Sequence, residues 1–276
     1  MSDTAGARVS ATAGTSSNRA AWGLVLALVA VAAIAPVVAP FAPDAVDLAL
    51  RRQGPSATHW FGTDDLGRDV LTRVLHGARV SIAIGLLAAG LSVALGTAIG
   101  LLAGFFRGWV DTLLMRTTDA MLSVPRLPLL MIVAAILQPS IPLLIILVAA
   151  VGWMETSRVV RAEALALSGR GFVEAAHALG LSRPHVLLRH LLPNVGPTVI
   201  VSATLAVGRS ILLESALSFF GVGVQPPAAS WGNMLYQAQS TMTSEPWLAL
   251  FPGLAIFLTT LAVNAAGERL STVSVS

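Results

Sequence analysis

The chain has 276 residues, a formal net charge of +3 and a mean hydropathy of +0.78, with 55% hydrophobic and only 11% charged residues. Soluble domains carry roughly 25% charged residues, so this composition describes a polytopic membrane protein and excludes a soluble globular domain. Cysteine and lysine are both absent, which removes disulfides and thiolate metal sites, a Schiff-base lysine and the lysine of a Walker A loop, so ATP-driven work falls to another chain.

Residues 1–19 are rich in Ser, Thr, Ala and Gly and read as a disordered tail. Residues 20–42 hold a first span, Trp22 to Phe41. Its apolar stretch is too long for a signal-peptide core and no A-x-A site follows, which predicts an uncleaved anchor. Residues 43–79 are polar, and the uncharged run Val80 to Phe106 predicts a second span. Residues 127–154 also lack charge, but Gln138-Pro139-Ser140-Ile141-Pro142 interrupts them. Two prolines so close break a helix, predicting a hairpin of spans near 117–137 and 142–157. A polar insert, Arg158 to Pro193, follows. Span five is expected near 195–215, a loop over 216–245, span six near 247–266 and a short tail over 271–276. The expected fold is all-α with six transmembrane helices, five of them in a core over residues 80–270.

Arginine placement gives the sidedness. With the N-terminus inside, the cytoplasmic segments hold ten arginines and the outer segments five, the direction that the positive-inside rule requires. Both termini and the 158–193 insert then face the cytoplasm. Arginines at membrane edges also explain the basic balance without nucleic acid; the expected contact is membrane lipid.

Within the insert, Glu174, Ala175, Ala176 and Ala178 favour helix. Gly180 permits a left-handed C-cap. Ser182 suits the N-cap of a second helix with Pro184 early in it, and Pro193-Asn194 ends it. Such a segment is either a solvated loop helix or a handle for a partner.

In the polar segment, Asp64, Asp65 and Asp69 lack the alternating oxygen ligands and closing Glu of a calcium loop. Thr63 or Asp64 is expected to cap a short interfacial helix, with Arg68 and Asp69 in local ion pairs, and no metal site is expected. Ser92, Gly96, Gly100 and Gly104 recur every four residues on span two. They form a small-residue face that admits close helix packing, against a neighbour either internal or in a second subunit. Three ionisable residues lie in or near spans. Arg126 can snorkel to an interface. Arg209 either lines a permeation path, meeting a substrate carboxylate or Glu214, or snorkels or pairs locally.

The order Glu174-Ala175-Ala176, Gly180, then Leu192-Pro193 resembles the EAA loop of permease subunits of ABC importers. One departure, His190 before the Leu-Pro-Asn end, is similar to the dipeptide/oligopeptide/nickel branch. Gly62-Thr63-Asp64 through Gly67-Arg68-Asp69-Val70, with Arg73, Gly77, Arg79 and Ser81, resembles that branch too. So do Glu214 through Pro227 with Ser230-Trp231-Gly232-Asn233, and Pro252-Gly253 with Asn264 and Gly267. The resemblance covers roughly residues 20–270.

It implies a type I ABC importer permease architecture in the cytoplasmic (inner) membrane. It also implies a homologous second permease, two cytoplasmic ATPases that carry ATP and magnesium, and an extracytoplasmic solute-binding protein. Glu174, Ala175, Ala176, Gly180, Leu192 and Pro193 would form the ATPase-docking coupling loop, and this chain would bind no cofactor and catalyse nothing. The cargo would be a di- or oligopeptide, or alternatively nickel, bare or chelated. A secondary carrier is the competing class, yet no internal repeat is visible and mid-span acids are few. A membrane-embedded enzyme would need converging polar residues in its spans, and all five histidines lie outside them.

Overall fold

A computed structural model describes residues 32–138 and 140–273, together with 23, 26, 27 and 30. The expected tail, 1–19, and most of the expected anchor, 20–42, lie outside them; residues 32–38 are helical. Among the described residues the fold is all-helical.

Asp69 starts the first long helix. Its carboxylate accepts the Thr72 N–H at 2.8 Å while its own backbone is extended. Helix α1, Val70–Phe106, then runs 37 residues, about 55 Å at 1.5 Å per residue. A hydrocarbon core is about 30 Å thick, so α1 projects well beyond it. The uncharged run begins at Val80, but the helix begins at Val70, because a capping carboxylate and not the end of charge sets its start. Thr63 and Asp64 do not cap a helix. The Thr63 hydroxyl donates to the Leu50 carbonyl, and Asp64 Oδ1 accepts from the Leu66 and Arg68 N–H groups within the loop.

Several charges of the polar segment pair within it. Arg68 Nε lies 2.7 Å and Arg73 Nε 3.5 Å from Asp64 Oδ2, and His59 Nδ1 lies 2.9 Å from Asp69 Oδ1. Among the described residues no group of three or more His, Asp or Glu is placed to hold a metal ion.

Arg107 and Gly108, both at positive φ, turn the chain into α2, Gly108–Leu122. Helix α3, Arg126–Leu137, follows at a bend of 81°. The single span expected near 117–137 is therefore two helices. Pro125 has no N–H to donate and disfavours helix at Val124. Helix α4, Ile141–Ser168, has Ser140 as its N-cap and Pro142 in its first turn. Its expected end at 157 is also too early. Arg158 and Arg161 continue the helix and pair with α2: Arg158 with Asp119, and Arg161 Nη2 with Asp111 Oδ2 at 2.6 Å. The polar insert proper starts after Gly169.

Three short elements follow: α5, Gly171–Ala178; α6, Arg183–Val186; and α7, Leu192–Asn194, the last two joined by a π-helical turn, Leu187–Leu191. Pro193 would crowd the Arg189 carbonyl in a regular helix, and the wider π turn sits at that point. Helix α8 is Gly196–Phe219, α9 is Trp231–Ala238, and α10 is Trp247–Val273.

The bundle is built on α1 against α4. A Cβ at Gly96 would lie 2.5 Å from the Trp153 carbonyl oxygen, at Gly100 2.6 Å from that of Ser157, and at Gly104 2.7 Å from Ala164 Cβ. Ser92 meets Gly152 in the same seam. The small-residue face thus packs on a helix of its own chain. Four helices, α1, α4, α8 and α10, are long and apolar enough to cross a bilayer, and a fifth span arises if the bent pair α2–α3 is one crossing. The expected count of six needs the 20–42 segment, most of it outside the described residues.

Candidate functional site

The polar insert folds as a clasp at the end of the bundle where α1 and α4 finish. The inner face of α5 is Val173 and Ala176, buried with Leu101 of α1, Val160, Ala164 and Leu167 of α4, and Val186, Leu191 and Val195 beyond. Residues three apart share a helix face, so the same geometry turns Glu174, Ala175 and Ala178 outward, where all are exposed. The Glu-Ala-Ala run therefore divides: Ala176 anchors, while Glu174 and Ala175 face out. Leu192 and Pro193 are exposed as well.

Gly180 closes α5 with φ +76. The Leu181 N–H reaches the Ala176 carbonyl at 3.2 Å, the long bond of a Schellman cap. A side chain at 180 would meet nothing within 4 Å, so the requirement for glycine is conformational and not steric. Ser182 occupies the N-cap position of α6 without a side-chain capping bond.

Glu214 is fully buried. Its oxygens accept from Ser218 at 2.7 Å and Ser81 at 3.0 Å, with Ser215 at 3.5 Å. The Ser81 hydroxyl in turn accepts the Trp231 N–H at 3.2 Å, and Trp231 Nε1 donates to the Val74 carbonyl at 3.0 Å. Ser230 and Asn233 cap α9 reciprocally. Two of the motif segments read from the sequence meet at this one node, which ties α1, α8 and α9 together. Of the alternatives read for Arg209, the contact with Glu214 is not made.

Arg209 pairs instead with Glu155 of α4, whose other oxygen accepts from Arg126 Nη2 at 2.8 Å. Arg126 is held by this pair and is not left to snorkel alone. The three line a cavity of about 280 Å³, with Ser92 and Ser210 among otherwise largely apolar walls. Glu155 escaped the sequence reading because it stands one residue past an uncharged run, where a span edge is expected. No local pattern marks it, because its partners, Arg126 and Arg209, come from other helices.

Comparison with known proteins follows the same lines. Residues 96–273 match the family described as the binding-protein-dependent transport system inner membrane component. A protein of Brucella suis named as a peptide permease is 42% identical over 258 residues, 92% of this chain and 85% of its own length. A dipeptide transport system permease protein of Alkalihalophilus pseudofirmus is 38% identical, covering 90% of this chain and 81% of its own. A glutathione transport system permease protein of Pectobacterium atrosepticum is 38% identical over 91% and 84%. With an all-helical bundle, several apolar spans and the outward-facing clasp in place, this chain belongs to the family of binding-protein-dependent transport system inner membrane components, the membrane-embedded permease subunits of ABC importers.

Proposed function

We propose that the chain is one of two permease subunits of an ATP-driven importer of short peptides, working by alternating access. The observation that carries this is α5, fixed to α1 and α4 through Val173 and Ala176 while Glu174 and Ala175 face outward. A short helix so anchored transmits a push on its outer face directly into two long helices. An ATPase groove fits the small Ala175 and Ala178 side chains, and a cation in it pairs with Glu174. Gly180 turns the chain, and Leu192-Pro193 flanks the contact as the insert returns towards α8.

In this reading two cytoplasmic ATPases hold ATP and magnesium, a second, homologous permease completes the pore, and an extracytoplasmic binding protein delivers cargo. Both termini and the 158–193 insert face the cytoplasm, as the arginine distribution supports. The names of the relatives favour peptides over nickel. Reconstitution of the full assembly in proteoliposomes tests this: wild type takes up dipeptide only with ATP, and Glu174→Lys hydrolyses ATP with uptake lost. Normal coupling in that variant would remove α5 from the docking role.

A further inference from the structure

A charge cluster lies inside the bundle, apart from the clasp. Arg126 from α3, Glu155 from α4 and Arg209 from α8 converge on one cavity of about 280 Å³. A single carboxylate holds both guanidiniums, one on each oxygen. Two arginines against one glutamate leave one positive charge in excess, and among the described residues Glu155 is the one acidic residue lining the cavity. Glu214 offers no relief, being fully buried with its oxygens on serine hydroxyls. Unbalanced charge at membrane depth is costly and marks a pathway for polar cargo. Exposure rises across the cluster, with side-chain values of 30% for Arg126, 37% for Glu155 and 45% for Arg209. Arg209 is thus the most open cation.

We propose that Arg126, Glu155 and Arg209 form a recognition site for the two charged ends of a short peptide in transit. Arg209 takes the terminal carboxylate through its planar fork, the geometry for which guanidinium is suited. One oxygen of Glu155 is thereby freed for the peptide ammonium, while Arg126 keeps Glu155 in place through the other. The entering zwitterion exchanges one ion pair for two. Ligand pockets start near 300 Å³, so the cavity suits a di- or tripeptide and not a long chain held whole. This inference rests on the peptide-importer reading above.

The test compares dialanine with its C-terminal amide in proteoliposomes holding the complete transporter. Each compound is supplied at a concentration that saturates the binding protein, so capture does not set the rate. In wild type both are moved, dialanine faster. Arg209→Gln lowers the ratio of dialanine to amide transport by at least about tenfold, the scale of a lost charge-assisted hydrogen bond, while Arg209→Lys, which keeps the charge without the planar fork, restores part of the preference. Glu155→Gln serves as an independent arm and removes the preference for dialanine over N-acetyl-dialanine. If the substrate ratios stay at wild-type values in Arg209→Gln and Glu155→Gln, the recognition site is refuted although import stands. If wild type shows no ATP-dependent uptake of either compound, the importer reading itself falls, and this inference with it.

Discussion

Gly100→Ala adds one methyl group in the seam between α1 and α4. The new carbon would lie 2.6 Å from the Ser157 carbonyl oxygen and 2.9 Å from Val160 Cβ, about 1 Å inside the optimum for non-bonded contact. The oxygen belongs to helical backbone, so it cannot retreat alone. Helices α1 and α4 must part, and the neighbouring contacts at Gly96 and Gly104 open with them. Overpacking of this kind costs about 1–3 kcal/mol. No hydrophobic term offsets it within lipid, where helix association rests on packing. Alanine returns roughly 0.5–1 kcal/mol of helix preference over glycine. Gly90→Ala isolates that gain, because a Cβ there meets nothing within 4 Å. Reversible unfolding by SDS titration of the purified subunit, with far-UV circular dichroism as the readout, should separate the two variants by about 1–3 kcal/mol, Gly100→Ala being the weaker. Equal stability of the pair would mean that the small-residue face does not form the α1–α4 seam.

Other perturbations follow from single contacts. Ser218→Ala removes the 2.7 Å donor to Glu214 and the acceptor of the Val224 N–H at 3.0 Å, and should cost about 1.5–3 kcal/mol in the same titration. Asp69→Ala removes both the cap of α1 and the His59 contact. Loss of about 1 kcal/mol or more is expected, with faster amide exchange confined to the first turn of α1. Exchanging the partners in Asp111→Arg with Arg161→Asp should recover part of the loss seen in each single variant. The coupling energy should be about 1 kcal/mol or less for this partly exposed pair; zero coupling would show that α2 is not clipped to α4 by charge. Gly180→Ala should cost roughly 1–2 kcal/mol from the left-handed backbone alone and still support uptake. Complete loss of uptake with normal folding would show that the side chain is excluded by the docked partner.

What the sequence made legible depended on how local the controlling physics was. Uncharged runs and the four-residue recurrence of Ser92, Gly96, Gly100 and Gly104 are visible because lipid and close packing act on every turn alike. The Gly180 cap was legible because it needs only one residue type at one φ. Helix ends were not, since hydropathy tracks bilayer depth whereas α1 starts where the Asp69 carboxylate caps it and α4 runs on to Ser168. Arg158 and Arg161 ended the apolar pattern without ending the helix, because Asp119 and Asp111 on α2 receive them. The charged cavity has the same origin. Glu155 carries a charge that no local pattern accounts for, and the partners that permit it, Arg126 and Arg209, come from α3 and α8. A lone ionisable group near mid-span looks like a defect in one dimension. Three helices together place two guanidiniums on its one carboxylate, a pairing that hydropathy along a single helix does not display.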